Sequence, residues 1–219
     1  MKLGWIVLLA SAAALGQVAK EANREYKEEA FRTKLAGDLT AESRDLRQKP
    51  KELIAALKVE PGMTVADVGT GAGYMLPHLA AAVGPSGKVY AEDIFPDFLD
   101  AAKKHAAKLT NVTYVLGDEK SARLPAGVAD LIIVLDAYHH FDHPGPMLES
   151  MKTALKPGGR LAIVEFHKTE KAMPNGRALQ HIRATRDEFV KEIAGFGFET
   201  IEVRDFTPEV QWIGVFRSR

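Results

Sequence analysis

The chain has 219 residues, enough for one core-bearing α/β domain and few for two. Its 29 Lys+Arg balance 29 Asp+Glu, and this formal charge of zero excludes a nucleic-acid binder that relies on bulk positive charge. Without Cys there are no disulfides, thiolate nucleophiles or Cys-based zinc sites, and a content of 46% hydrophobic and 26% charged residues excludes disorder as the main state.

Residues Met1 to Gly16 read MKLGWIVLLASAAALG: one Lys, an apolar run from Leu3 to Ala10, then small residues that fit a small-x-small cleavage site. This is the pattern of a secretory signal peptide and predicts an exported, periplasmic protein, with an uncleaved membrane anchor as the alternative. The run is shorter than the about 20 residues a spanning helix needs. No later apolar stretch is longer, so no membrane span is expected unless the N-terminus stays attached. Residues 17–48 form a highly charged extension. Its alternating Glu and Lys predict a solvated helix over Glu21 to Lys34, broken at Gly37 and Asp38.

Residues 49–219 carry a regular pattern. Pro50 opens a helix over Lys51 to Leu57. Strands are predicted at Thr64–Val68, Lys88–Glu92, Val112–Leu116, Ala129–Leu135 and Arg160–Glu165. Helices alternate with them at Tyr74–Val83, Phe95–Leu109 and Pro146–Leu155. This alternation with short turns predicts a doubly wound parallel sheet with helices on both faces. The tail differs. Thr185 and Glu188 form a capping box for a helix over Arg186–Ala194, and two strands, Glu199–Val203 and Val210–Phe216, follow with no helix between them. They predict an antiparallel pair closing one edge.

The central motif is VADVGTGAGY, a buried strand running into a glycine-rich turn that opens a helix. Glycines let a ligand approach the main chain, and the helix start offers free N–H groups. The spacing is Gly-x-Gly-x-Gly at Gly69, Gly71 and Gly73. The dinucleotide fingerprint is Gly-x-Gly-x-x-Gly, and Tyr74 stands where its last glycine belongs. Asp67, just before the turn, suits a ligand with a positive group better than a phosphate. About twenty residues on, VYAED ends a strand in two carboxylates facing opposite ways; Asp93 is read as the acceptor of ribose hydroxyls, and Glu92 as a solvated neighbour. After the third strand, Asp118 either accepts from an adenine amino group or caps its own turn. All three acidic positions lie at C-terminal strand ends, where open α/β sheets bind ligands.

With these motifs in view, the chain resembles the class I S-adenosylmethionine-dependent methyltransferases. VADVGTGAGY, VYAED, GDEKSARLPAG, ADLIIVLDAYHHF and LKPGGRLAIVEF match that family's motifs in order, over residues 45–217. The resemblance implies a seven-stranded Rossmann-like sheet whose last strand is antiparallel, and S-adenosyl-L-methionine as cofactor. It implies that Asp67 and the loop Gly69, Thr70, Gly71 and Gly73 hold the methionine part, Asp93 the ribose, and Asp118 the adenine region, with Ile94, Glu119 and Asp136 completing the set. Glu119 departs from the Ala of many relatives. The chain also resembles a small subgroup with a Tyr-His-His-Phe segment after the fourth strand.

That segment, Asp136 to His143, would lie where the methyl group leaves. His139 or His140 could act as a base, and Tyr138 could pack on the acceptor; the bland alternative is that these residues only cap the loop. His139, His140, Asp142 and His143 do not follow a recognised ligand spacing, so no metal is expected. His167 and His181 could line the cleft, although plain surface histidines are the simpler reading. Trp212 reads as core or edge. The expected activity is methyl transfer to a small-molecule acceptor. The alternatives are an NAD(P)-dependent oxidoreductase, disfavoured by the glycine spacing and the strand pair, and a catalytically silent exported adenosylmethionine-binding protein. The segment Lys168–Ile182 and the charged N-terminal helix are expected to select the acceptor.

Overall fold

The computed structural model describes residues 18–219; the signal-like segment lies outside the described residues. Seven strands form one sheet: β1 (Thr64–Val68), β2 (Lys88–Asp93), β3 (Val112–Leu116), β4 (Ala129–Leu135), β5 (Leu155–Phe166), β6 (Phe198–Thr207) and β7 (Gln211–Ser218). Their order is β3-β2-β1-β4-β5-β7-β6. All neighbouring pairs from β3 to β5 are parallel. β7 is antiparallel to both of its neighbours, β5 and β6. The tail hairpin therefore inserts its second strand beside β5, and β6 forms the edge.

The helices are α1 (Glu29–Leu39), α2 (Asp45–Gln48), α3 (Pro50–Ala56), α4 (Leu76–Val83), α5 (Pro96–His105), α6 (Pro144–Ala154), α7 (Ala178–His181) and α8 (Arg186–Gly195). Period-2 alternation sorts the strand residues between two layers. Leu131, Ile133, Ala162 and Val164 face Leu53, Leu76 and Leu79 on one side. Ile132, Val134 and Ile163 face Met147, Met151, Phe189 and Ile193 on the other. β4 is apolar at almost every position because both of its faces are covered. Trp212 is fully buried and stacks on Phe189 at 6.4 Å, so it is core. The capping box forms as expected: Glu188 donates its backbone N–H to Thr185 Oγ1, and its side chain accepts from the Thr185 N–H.

Several boundaries differ from the sequence expectation, among them those of the charged helix and of β5. The charged helix runs through Gly37 and Asp38 to Leu39, while Glu25–Lys27 is only a 3-10 turn. Tertiary contacts override the glycine. Arg32 pairs with Asp97 at the start of α5 at 2.8 Å, and Leu39 seats against Gly71. β5 begins earlier, at Leu155, because Leu155 pairs with Ala129 before the Lys156–Gly159 turn interrupts the register. Among the described residues no helix is long and apolar enough to cross a membrane.

Ile132 lies at the centre of β4 with no exposed surface. Truncating it leaves a cavity that two packed layers cannot close. Ile132→Ala is expected to lower unfolding free energy by about 2–5 kcal/mol, read from urea denaturation.

Candidate functional site

The C-terminal ends of β1, β2 and β4 open into a cleft of about 580 Å³. Its floor is the glycine loop. Gly69, Gly71 and Gly73 all have positive φ. A Cβ on Gly69 would stand 2.7 Å from Ala137 Cβ, and one on Gly73 2.9 Å from Leu76 Cδ1. The loop is thus both conformationally and sterically reserved for glycine. α4 starts at Leu76 rather than Tyr74 because the glycines prolong the turn.

Carboxylates ring this floor. Asp67 Oδ2 accepts from Thr70 Oγ1 at 2.7 Å. Asp93 accepts from the N–H groups of Gly71 and Phe95, both at 2.9 Å. Desolvation pushes each of these acids up to about 6, against hydrogen bonds that pull down. Glu92 is 1% exposed and lines the cleft, so it is not the solvated neighbour expected. β2 is covered on both faces, and an alternating side chain has no route to water. Glu92 Oε2 accepts from Gly69 N–H at 3.3 Å, whereas buried Oε1 meets no donor among the described residues. Burial and the neighbouring Asp93 raise its pKa well above the usual range.

Asp136, at positive φ after β4, accepts from Gln211 Nε2 at 2.7 Å and from Gln48 Nε2. Arg44 approaches the same carboxylate and stacks over Tyr74. Ile94, Asp118 and Glu119 also line the cleft. Asp118 caps its turn: one oxygen accepts from Lys120 N–H at 2.8 Å, the other from Arg123.

The histidine loop forms the opposite wall. A 3-10 turn over Tyr138–His140 sends successive side chains in different directions. His139 enters the cleft backed by Glu165, which is fully buried. Glu165 Oε2 accepts from both the N–H (3.1 Å) and the Nδ1–H (2.7 Å) of His139. His140 Nδ1 lies 2.8 Å from Asn23 Oδ1. The Asn23 amide nitrogen donates to His140 C=O and to Asp142, so its oxygen must accept and His140 Nδ1 must carry the proton. His181, at the end of α7, completes the cluster, its ring 4.9 Å from that of His139 and 5.1 Å from that of His140. Burial lowers the pKa of His140 strongly and takes that of His181 down to about 3, so both are neutral imidazoles.

A methyltransferase-domain family model matches residues 59–208. The chain belongs to the methyltransferase domain family. It is 26% identical over 155 residues to the ubiquinone/menaquinone biosynthesis C-methyltransferase UbiE of Burkholderia cenocepacia, a match that covers 69% of this chain and 64% of that protein. The UbiE of Cupriavidus metallidurans is 31% identical over 121 residues, 55% of this chain and 50% of its own length. The chain thus spans less than two thirds of the curated relatives it matches. A SAM-dependent methyltransferase from Aquifex aeolicus superposes with a TM-score of 0.75 at 28% identity, covering 84% of this chain and 96% of that one.

Within this methyltransferase domain the candidate residues separate. Asp67, Gly69, Thr70, Gly71, Asp93, Ile94, Asp118, Glu119, Asp136, His139 and His140 all line one cleft. Gly73 lies beneath it, packed against Ala102. Tyr138 does not reach the cleft, which corrects its assignment to the catalytic group. It is fully buried, donates to Glu192 Oε1 at 2.7 Å, and packs on Phe189. His167 also lies elsewhere, bound to Asp205 at 3.0 Å, and His143 faces Glu119. Sequence reading missed Arg44 and Glu92 as lining residues, whereas Asn23, Tyr26 and Arg177 fall in the two segments expected to select the acceptor, with neither Asn23 nor Tyr26 singled out. For Glu92 a signal existed, since it stands beside Asp93 at the strand end; the others come from segments without a motif.

Since Tyr138 is an anchor, Tyr138→Phe is expected to cost about 1–2 kcal/mol of stability through the lost bond to a charged partner. Ligand binding in the cleft should be unchanged, as read by calorimetry beside thermal melting.

Proposed function

We propose that this chain moves a methyl group from S-adenosyl-L-methionine to a small-molecule acceptor, releasing S-adenosylhomocysteine. One observation carries the reading: carboxylates from β1, β2 and β4 converge over a stretch of bare main chain in a single cleft. A sulfonium nucleoside has a matching set of groups. Asp67, with the loop from Gly69 to Gly73, would take the methionine ammonium and carboxylate. Asp93 would accept the ribose hydroxyls, and Ile94 would lie on the adenine face. Asp118 and Glu119 stand at the adenine end, although the Asp118 oxygens are already engaged by Lys120 and Arg123.

Methyl transfer is an in-line displacement, so orientation supplies much of the acceleration. The histidine loop faces the methyl end of such a cofactor. The neutral ring of His140 presents a lone pair on Nε2 that assists an acceptor in losing its proton, and His139, held at Nδ1 by Glu165, stands beside it. The acceptor enters between the N-terminal strap (Asn23, Tyr26) and the Met173–His181 segment, which Arg177 and Glu25 join at 3.2 Å. The printed function of the UbiE relatives is C-methylation in quinone biosynthesis, which favours a ring-bearing acceptor. The signal-like residues 1–16 support an exported location, to be checked by the mass of the mature protein from fractionated cells.

Calorimetric titration with S-adenosyl-L-methionine tests the cofactor site. Asp93→Ala and Asp67→Ala are each expected to weaken binding at least about 10-fold, since each removes hydrogen bonds to or from a charged group. Unchanged affinity in both variants would overturn the reading. Donor affinity should also rise with pH. The free Asp67 carboxyl has a pKa of about 6 and only its ionised form attracts an ammonium, so binding tightens through pH 6 and levels above it. Asp67→Asn should reduce that slope.

A further inference from the structure

We propose that His139, His140 and His181 form a binding site for one divalent transition-metal ion of the zinc class, with its remaining coordination positions open to the cleft. One ring nitrogen from each histidine lies within 4.8 Å of the others. A tetrahedral ion with metal–nitrogen bonds of about 2.0–2.1 Å needs its nitrogens roughly 3.3 Å apart, so uptake would draw His140 and His181 in toward the fixed ring of His139.

The hydrogen bonds behind the rings fix which atoms face inward. Glu165 takes up His139 Nδ1 and leaves Nε2 as the ring nitrogen without a protein partner among the described residues. Asn23 holds the proton on His140 Nδ1. His139 Nε2 is buried and meets no hydrogen-bonding group among the described residues, although its residue is only 1% exposed. A buried ring nitrogen left without a partner is costly, and a metal ion bound there would relieve that cost. A ligating histidine whose other nitrogen is held by a carboxylate or an amide oxygen is the usual support of a metal centre. Glu165 is held in turn by the Phe166 N–H at 2.7 Å, so the support is rigid.

Asp67, Glu92, Asp93, Asp136 and Asp142 line the same cleft, against Lys27, Arg44, Arg47 and Arg177. They offset a dication placed near a sulfonium. No metal was expected from the sequence, and Asp142 and His143, the neighbours weighed there as partners of the pair, do not join it. Asp142 accepts from Ala19 N–H and Asn23, and His143 points at Glu119. His181, forty-one residues beyond His140, takes their place. An acceptor oxygen bound at the open position would lose its proton to water more readily, so the ion and not the imidazole would activate it.

The test uses the full chain without a polyhistidine tag, stripped with chelator and titrated with Co(II), then with Zn(II). One equivalent of Co(II) is expected, with visible d–d bands of a nitrogen-ligated, low-symmetry ion that Zn(II) displaces. His181→Gln, at a partly exposed helix end, should lower affinity at least about 100-fold while circular dichroism stays native. Glu165→Gln should lower it about 10–100-fold. If Glu165→Gln fails to fold, His140→Gln serves in its place with the same expectation as His181→Gln. Absence of saturable uptake, or uptake undiminished in His181→Gln, overturns the proposal. Titration with S-adenosyl-L-methionine is read separately. Metal uptake without donor binding would sink the methyl-transfer reading and leave this site standing.

Discussion

The arrangement of the cleft depends on a carboxylate buried at the end of β5. Glu165 has no exposed surface and gives its oxygens to three N–H groups, two from His139 and one from Phe166. A buried acid without such partners would be strongly unfavourable. With them, the end of β5 is tied to the loop that follows β4, and one histidine is locked in ring orientation and tautomer. His140 then packs tilted against this fixed ring at 4.0 Å and His181 edge-on at 4.9 Å. The parallel pairing of β4 and β5 brings the two ends level, so the sheet register is the cause and the histidine geometry its effect.

The opposite wall follows a different logic. There the protein exposes main chain and arranges acids around it. Three positive-φ glycines keep Cβ atoms away, and Asp67, Glu92 and Asp93 remain close together although burial, and for Glu92 and Asp93 also the neighbouring acids, raises their pKa values. That is stored electrostatic cost of the kind found at functional sites. A cationic, hydroxyl-bearing ligand relieves it; a phosphate would add to it. The same wall accounts for the glycine spacing that departs from the dinucleotide fingerprint, since Tyr74, in place of a glycine, donates to Asp45 at 2.6 Å and helps fix the segment that carries Arg44.

Much of this was legible because it is local. The strand run LIIVL, the glycine triplet and the acids at strand ends each declare themselves within ten residues. So did the strand pair of the tail, which lacks a helix between its members. What was not legible depends on distance along the chain or on cover from above. Asn23 reaches His140 across 117 residues, and nothing near Asn23 signals it. Glu92 looked solvated because alternation assigns a face without saying whether that face is covered. Tyr138 looked catalytic beside two histidines, but a 3-10 turn spreads neighbouring side chains too widely for three in a row to share one cavity. Helix α1 outran its glycine because Arg32 and Leu39 found partners on the domain.

The strap of residues 18–27 crosses the histidine loop through Val18, Ala19 and Asn23, all bound to Asp142 or His140. A segment 117 residues earlier in the chain therefore supplies the amide that decides which nitrogen of His140 holds its proton. Removing it would leave the sheet its register and both layers of core, yet return that imidazole to a choice of two protonation isomers. Order in the scaffold and order in the reactive centre are thus separable, and the latter comes from a ribbon outside the layered sheet and helices that define the fold.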